Sequence, residues 1–285
     1  KFDLKSIIGF VLIFILLLWV MNNNRPTQEE LAKRKAEQEQ AAAAKNPQNN
    51  TATAATADLG AFAYGNAQAT AKDGVTVIEN KDVKLTINNK GGDLKEVLLK
   101  QFKTYESMPV YLIKDKNAIF ALNFKTTQGQ ELNTQQLYFE PSLSQKDGKQ
   151  LLSMKVKTGE NSYLEYVYTL PAEGYMVDVA VRSQGLSGVL NSQNPIELVW
   201  GLKARRMEKS VTYENRYTQS AIRYADDKIN RMSQGGNSGT KEEQVSWVAY
   251  KQHLFTSVLI SDSACANGDF LSYNIANEES KDVKY

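Results

Sequence analysis

Val83-Lys84-Leu85-Thr86-Ile87 carries an apolar residue at every second position, and Asn88-Asn89-Lys90-Gly91-Gly92 follows before apolar residues resume at Leu94. A period of two marks a half-buried strand, because successive side chains point to opposite faces. Asn and Gly tolerate the positive backbone angles that reverse a chain, so the run predicts a strand, a turn and a second strand over 94–99. The same pattern recurs at 110–113, 118–124, 137–140, 151–158, 162–170, 175–184, 196–202, 221–225, 245–260 and 270–275, with no convincing amphipathic helix between them. A dozen or so strands in roughly 210 residues call for an all-β fold, a large sandwich or barrel. Residues 233–243, with Gly235, Gly236 and Gly239, are expected to form a mobile loop.

Within the longest of these runs lies Trp247-Val248-Ala249-Tyr250-Lys251-Gln252-His253-Leu254-Phe255. Strand parity sets Trp247 and Ala249 on one face and Val248 and Tyr250 on the other, so both faces should be covered, as in stacked sheets. Trp247, Val248, Tyr250, Leu254 and Phe255 are expected to contribute heavily to the core.

Upstream the composition changes twice. From Ile7 to Met21 every residue is apolar or Gly, and Phe2 and Leu4 extend a helical candidate across residues 2–21. At 1.5 Å per residue those twenty residues reach about 30 Å, the thickness of a bilayer core. Ile7, Phe10, Phe14, Leu17 and Trp19 are the expected spanning positions, with Trp19 at the headgroup layer. A cleavable signal peptide has an apolar core of similar length but ends in small residues, whereas Trp19-Val20-Met21 runs straight into Asn22-Asn23-Asn24. A buried soluble helix is the third reading. Lys1 and Lys5 precede the run while Arg25, Lys33, Arg34 and Lys35 follow it, so charge counting would leave the bulk of the chain in the cytoplasm. That rule fails for large translocated domains and does not decide the orientation.

Thr27-Gln28-Glu29-Glu30 resembles a capping box, and Glu29 with Lys33 and Glu30 with Arg34 form favourable i,i+4 pairs, so a solvated juxtamembrane helix is expected, or a segment that binds a partner. Residues 45–72 turn to Asn, Gln, Ala and Thr, too little apolar surface to offset chain entropy, and read as a flexible spacer. The expected organisation is therefore an anchor over 1–21, a juxtamembrane helix and disordered linker over 22–72, and a β domain over 73–285.

Composition excludes several function classes. The 285 residues are 42% apolar and 23% charged, so the chain can bury a sizeable core, and a net charge of +2 gives no reason to expect nucleic acid as a partner. The single Cys, Cys265, forbids an intrachain disulfide; it is read as an unreactive loop residue without a basic cluster beside it. The single His, His253, forbids a His-cluster metal site and is read as structural. Gly91-Gly92 and Gly235-Gly236 lack the strand-to-helix context of a phosphate cradle. Asp226-Asp227 and Glu242-Glu243 are sequence neighbours, which in a strand point apart and in a loop are solvated. No catalytic residue, metal or cofactor is expected. One local excess remains: between residues 203 and 231, Lys203, Arg205, Arg206, Lys209, Arg216, Arg223, Lys228 and Arg231 face only Glu208, Glu214, Asp226 and Asp227. This stretch is either a solvated surface or a contact for anionic headgroups or a partner, with Lys203, Arg205, Arg206, Lys209 and Arg216 the foremost positions.

Ser6-Ile7-Ile8-Gly9-Phe10-Val11-Leu12-Ile13-Phe14, Leu85-Thr86-Ile87-Asn88-Asn89-Lys90-Gly91-Gly92-Asp93-Leu94 and the aromatic segment at 247–255, in this order, resemble the N-terminal half of Gram-negative members of the YidC/Oxa/Alb family of membrane protein insertases. The resemblance implies an inner-membrane protein with a cytoplasmic amino end and a periplasmic β domain, a two-sheet super-sandwich similar to galactose mutarotases. It also implies contact with the lipid bilayer, with the Sec translocon and its accessory subunits, and with nascent membrane proteins. Clients would be received by further transmembrane helices, which no apolar run after Met21 supplies, and the β domain is expected to be truncated at its C-terminus. The rival class is a membrane-anchored periplasmic carbohydrate-binding or mutarotase-like domain; sugar conversion would need several acids and bases, and one His does not supply them.

Overall fold

The computed structural model describes residues 59–68, 72–232, 237–275 and 282–284, all within the compact unit Asp58–Tyr285. The expected anchor at 1–21 and the helix after Thr27 lie outside the described residues. Among the described residues, no helix is long and apolar enough to cross a membrane.

The described residues open with a 3-10 turn (Gly60–Phe62) and the short helix α1 (Ala63–Asn66), and those that follow are mostly strand. A first antiparallel meander comprises β1 (Val75–Glu79), β2 (Val83–Asn88), β3 (Leu94–Lys103) and β4 (Pro109–Ile113). Next come β5 (Ala118–Lys125) and β6 (Glu131–Asn133). A second meander follows: β7 (Glu140–Lys146), β8 (Lys149–Lys157), β9 (Tyr163–Leu170) and β10 (Asp178–Gln184). Then β11 (Glu197–Leu202) returns to pair with β5, giving the order β11-β5-β6. After β12 (Ala204–Arg205) and the helix α2 (Val211–Tyr217), a last sheet of order β14-β13-β15-β16 is built from β13 (Gln219–Tyr224), β14 (Ile229–Arg231), β15 (Ser238–Lys251) and β16 (Thr256–Ser272). Finally β17 (Asp282–Lys284) pairs with β12.

The alternation in β2 holds: Val83, Leu85 and Ile87 are buried in one core with Leu152, Met154, Tyr166 and Tyr168 from the second meander and Leu122 and Phe124 from β5. Three sheets thus share one apolar interior, which satisfies the expectation of packed β layers. The turn after β2 needs its glycines. Gly92 has a φ of 68°, and a Cβ there would meet Tyr166 and Phe139 at 3.0 and 3.2 Å. The Tyr168 hydroxyl donates to the Gly92 carbonyl at 2.6 Å, so turn and core are pinned together.

Six expectations are corrected. Residues 59–68 were read as flexible spacer, yet Leu59 and Phe62 pack into the main core, and Asn66 accepts from the Tyr138 amide at 2.9 Å and donates to the Gln136 carbonyl at 3.2 Å. Two apolar residues and one well-placed amide are enough to dock this short piece. The strand expected over 245–260 is a hairpin: β15 ends at Lys251, and Gln252 closes the turn by donating its amide to the Phe255 carbonyl at 2.8 Å. Leu254 sits at the tip, 68% exposed, rather than in the core. Of the loop expected at 233–243, residues from Ser238 onward are strand, because β15 pairs with β16 from Ser238↔Ser272 inward. This also puts Cys265 on a strand, opposite Val245, where it is exposed. The strand expected from Tyr175 begins only at Asp178.

Parity in β15 is interrupted by a bulge. Arg223 pairs with Trp247 and Tyr224 with Val245, so Ser246 is left over, its hydroxyl donating to the Arg223 and Tyr224 carbonyls at 3.0 and 3.2 Å. Val245 therefore joins Val248 in a second core with Ile222 and Met232, against which Trp200, Tyr224, Tyr250 and Phe270 pack. Val248 and Ala249 are both buried, so both faces of β15 are covered there, while Trp247 is half-buried and outside that cluster.

Candidate functional site

The basic stretch runs through β12, a loop, α2 and the β13–β14 hairpin. Much of its charge is engaged locally. Arg205 extends Nη1 to Asp115 Oδ2 at 3.0 Å and to the Lys114 carbonyl at 3.3 Å. Arg206 donates Nε to the Glu208 carbonyl at 2.9 Å and Nη2 to the Lys209 carbonyl, and its guanidinium lies 5.2 Å from the Tyr105 ring centroid. Lys203 is half-buried and clamped through its backbone, donating to the Asn117 carbonyl at 2.7 Å and accepting from the Asn117 side chain at 2.9 Å. On the β13–β14 hairpin, Arg223 pairs with Asp227 and Lys228 with Asp226, each at 2.6 Å. Lys209 and Arg216 are the two of the five foremost positions that are exposed.

Beneath this loop sits a polar hub that sequence reading missed. Ser210 caps α2 by accepting from the Tyr213 amide at 3.2 Å, a reason for the helix to start there. The helix is seven residues long, too short for an apolar period to show. Its Glu214 is buried and accepts from the Met207 amide at 3.0 Å, the Glu208 amide at 3.2 Å and the Gln252 side-chain amide at 2.9 Å. Burial pushes the Glu214 carboxyl up from its ordinary range, and the Met207 and Glu208 N–H groups oppose that shift. Gln252 also donates to the Arg205 carbonyl at 2.6 Å. One carboxylate and one amide therefore fasten the hairpin turn, the basic loop and α2 to each other.

The single imidazole belongs to the same cluster. His253 Nδ1 meets Glu208 Oε1 at 2.6 Å, its ring stacks on Tyr217 at 4.6 Å, and Tyr213 closes edge-on at 5.3 Å. The interaction with Tyr217 holds the Tyr213 hydroxyl above its usual range. These contacts fix the His253 ring between Glu208, Tyr213 and Tyr217. Among the described residues, no group of three or more His, Cys, Asp or Glu is placed to hold a metal ion. The expectation that Glu242 is merely solvated also changes. It sits on β15 and accepts from Thr240, Tyr224 and Asn230. The arrangement as a whole presents an aromatic and basic rim that can bind or position a partner.

Comparison with known proteins agrees with this architecture. The family model of the YidC periplasmic domain matches residues 75–284. Proteins described as membrane protein insertase YidC are similar to this chain: one from Porphyromonas gingivalis is 33% identical over 193 residues, covering 67% of this chain and 30% of that protein. Another from Parabacteroides distasonis is 33% identical over 201 residues, 70% of this chain and 31% of the relative. A third, from Bacteroides fragilis, is 31% identical over 193 residues, again 67% of this chain and 31% of its own length. The chain thus spans about a third of the length of the curated relatives it matches. A family match that begins at the first strand of the β1–β4 meander and ends within β17 leaves one assignment: this chain belongs to the YidC family, through its periplasmic domain.

Proposed function

We propose that this chain is the anchoring and periplasmic portion of an inner-membrane insertase that inserts and helps fold integral membrane proteins, alone or with the Sec translocon, and that its own share is scaffolding. The observation that supports this most is the match to the YidC periplasmic domain across β1 to β17, joined with relatives that bear the insertase name. On this reading, residues 2–21 span the membrane once with the amino end in the cytoplasm, and the linked sheets form the two layers of a super-sandwich. Nascent membrane proteins would be handled by helices beyond the part these relatives share with the chain. A polar path through the bilayer is needed for that step, because each polar group of a client would otherwise lack a partner in hydrocarbon. The rival carbohydrate reading draws no support from the relatives' names, and His253 is engaged by Glu208 and Tyr217.

The test uses the full-length protein in cells depleted of their own insertase. Protein carrying residues 75–284 and protein lacking them should both localise to the inner membrane, and crosslinks to Sec components should drop without the domain. A protein found wholly in the soluble periplasmic fraction would overturn the reading. Leu16→Arg should weaken retention, since a charge at the centre of a span costs about 2.5 kcal/mol or more on insertion scales.

A further inference from the structure

Several chain reversals meet beside the basic loop, and each carries large apolar side chains into solvent. The β3–β4 turn exposes Tyr105 and Met108, the loop before β10 exposes Tyr175 and Met176, and the β15–β16 turn exposes Leu254. They form one surface. Phe102, at the end of β3 and itself exposed, has its ring 6.3 Å from Tyr175 and 5.4 Å from Phe255, the neighbour of Leu254. Tyr105 donates its amide to the Met207 carbonyl at 3.1 Å and lies under Arg206, whose loop reaches His253 through Glu208.

Met108, Met176 and Leu254 are 59%, 63% and 68% exposed, so the three tips present apolar area on backbone that is firmly held. Gly174 donates to Asp82 at 2.6 Å, which pins the 171–177 loop, and the turn at 252–255 is closed by its own hydrogen bond. Around this surface stand the exposed Lys103 and Lys209 together with Arg206, against the acidic Glu106, the His-paired Glu208 and Glu173, which faces Lys81 at 4.0 Å. Scattered single hydrophobics are ordinary on a surface; a cluster from several separate turns with Lys and Arg at its border is not. Aromatic, Met and Leu tips bordered by Lys and Arg fit the headgroup layer of an anionic bilayer, where rings and thioethers enter the acyl boundary and cations meet phosphate. A protein partner of opposite charge would call for paired hydrogen-bonding groups in the middle of the surface, and the middle here is Phe102, Tyr175 and Phe255.

We propose that this end of the β domain docks on the anionic lipid surface, with Met108, Met176 and Leu254 as the inserting tips. The idea rests on the reading that the domain lies beside a membrane and specifies which face meets it.

The experiment uses the full chain, with Cys265→Ser as background, reconstituted in vesicles of phosphatidylethanolamine and phosphatidylglycerol. Met108→Cys, Met176→Cys and Leu254→Cys each carry a nitroxide, and Leu143→Cys on β7, the edge strand farthest from β10 in its sheet, serves as control. The expected result is a several-fold rise in collision with membrane-soluble oxygen at the three tips, no rise at 143, and loss of the effect in vesicles of phosphatidylcholine alone. Labels that stay aqueous while the protein remains vesicle-bound would overturn the docking face and leave the anchored-domain reading intact. Protein that does not associate with vesicles would sink that reading itself. Labels that are shielded in detergent without lipid would show a protein cover, another copy or another part of the polypeptide, and would also overturn the proposal.

Discussion

The ring centroids of Phe62 and Phe124 lie 5.3 Å apart at an interplanar angle of 49°, and Phe62 has no exposed surface. One residue of a stretch whose composition reads as flexible spacer therefore closes the main core at the end of β5. Phe62→Ala should lower stability by about 3–5 kcal/mol, the range for removing a fully buried Phe. Protection of the amides of residues 62–67 against hydrogen exchange should fall with it. An unchanged urea midpoint would show that this segment contributes nothing to the fold.

Tyr250 links two sheets. Its ring stacks on Trp200 at 4.3 Å, and its hydroxyl donates to the Trp200 carbonyl at 2.9 Å, joining β15 to β11. Tyr250→Phe should cost about 1 kcal/mol for the lost hydrogen bond, and Tyr250→Ala clearly more. Trp247→Ala should cost less than Tyr250→Ala, because the bulge at Ser246 leaves Trp247 half-buried and outside the second core. Denaturation midpoints that rank the two alanine variants the other way would contradict this.

Periodicity made much of this domain legible. In β2, β5, β8 and β9 the apolar residues recur at the interval of two that burial requires, and the Asn-Gly turn after β2 states its own backbone need. The features that escaped reading depend on partners remote in sequence. Glu214 looks like any helix carboxylate until Gln252 arrives from 38 positions away. Phe62 stands out among Gly and Ala, but with only Leu59 and Tyr64 near it there are too few large apolar residues to form a period. The hairpin turn at Gln252–Phe255 is hidden in the sequence because apolar residues continue through it, Leu254 included, and an exposed tip of this kind has the same composition as a buried strand. The basic stretch showed its charge in sequence, whereas which cations remain exposed depends on Asp115, Glu208 and Tyr105 in space.

For the basic stretch, the geometry separates residues that hold the loop from residues that face solvent. Arg206→Glu should destabilise the domain, since it puts a carboxylate against the Glu208 and Lys209 carbonyls that the guanidinium now binds. Lys209→Glu with Arg216→Glu should leave the urea midpoint within about 0.5 kcal/mol of the parent, as surface changes usually do. The same pair should lower affinity for phosphatidylglycerol vesicles, by roughly 1 kcal/mol for each cation near the surface. Equal destabilisation by both sets of changes would show that Lys209 and Arg216 are structural as well.

Glu242 makes the acid side of the stability profile testable. Its carboxylate accepts from the Thr240 hydroxyl at 2.5 Å, the Tyr224 hydroxyl at 2.7 Å and the Asn230 side-chain amide at 3.0 Å. These donors, Thr240 foremost, hold the carboxyl below its ordinary range, and the hydrogen bond to Glu242 in turn raises the Tyr224 hydroxyl. A carboxyl lowered by folding contributes stability in full above its unfolded pKa and loses it as pH falls through the folded value. Asp93 and Glu214, raised mainly by burial, work with the opposite sign: their contribution is complete below the unfolded pKa and is lost as pH rises through the folded one. Glu242→Gln should therefore be less stable than the parent at neutral pH, and the gap should close between about pH 5 and about pH 3. Urea midpoints measured across that window should converge. A constant gap would mean that the loss comes from the geometry of the Gln side chain and not from the charge on Glu242.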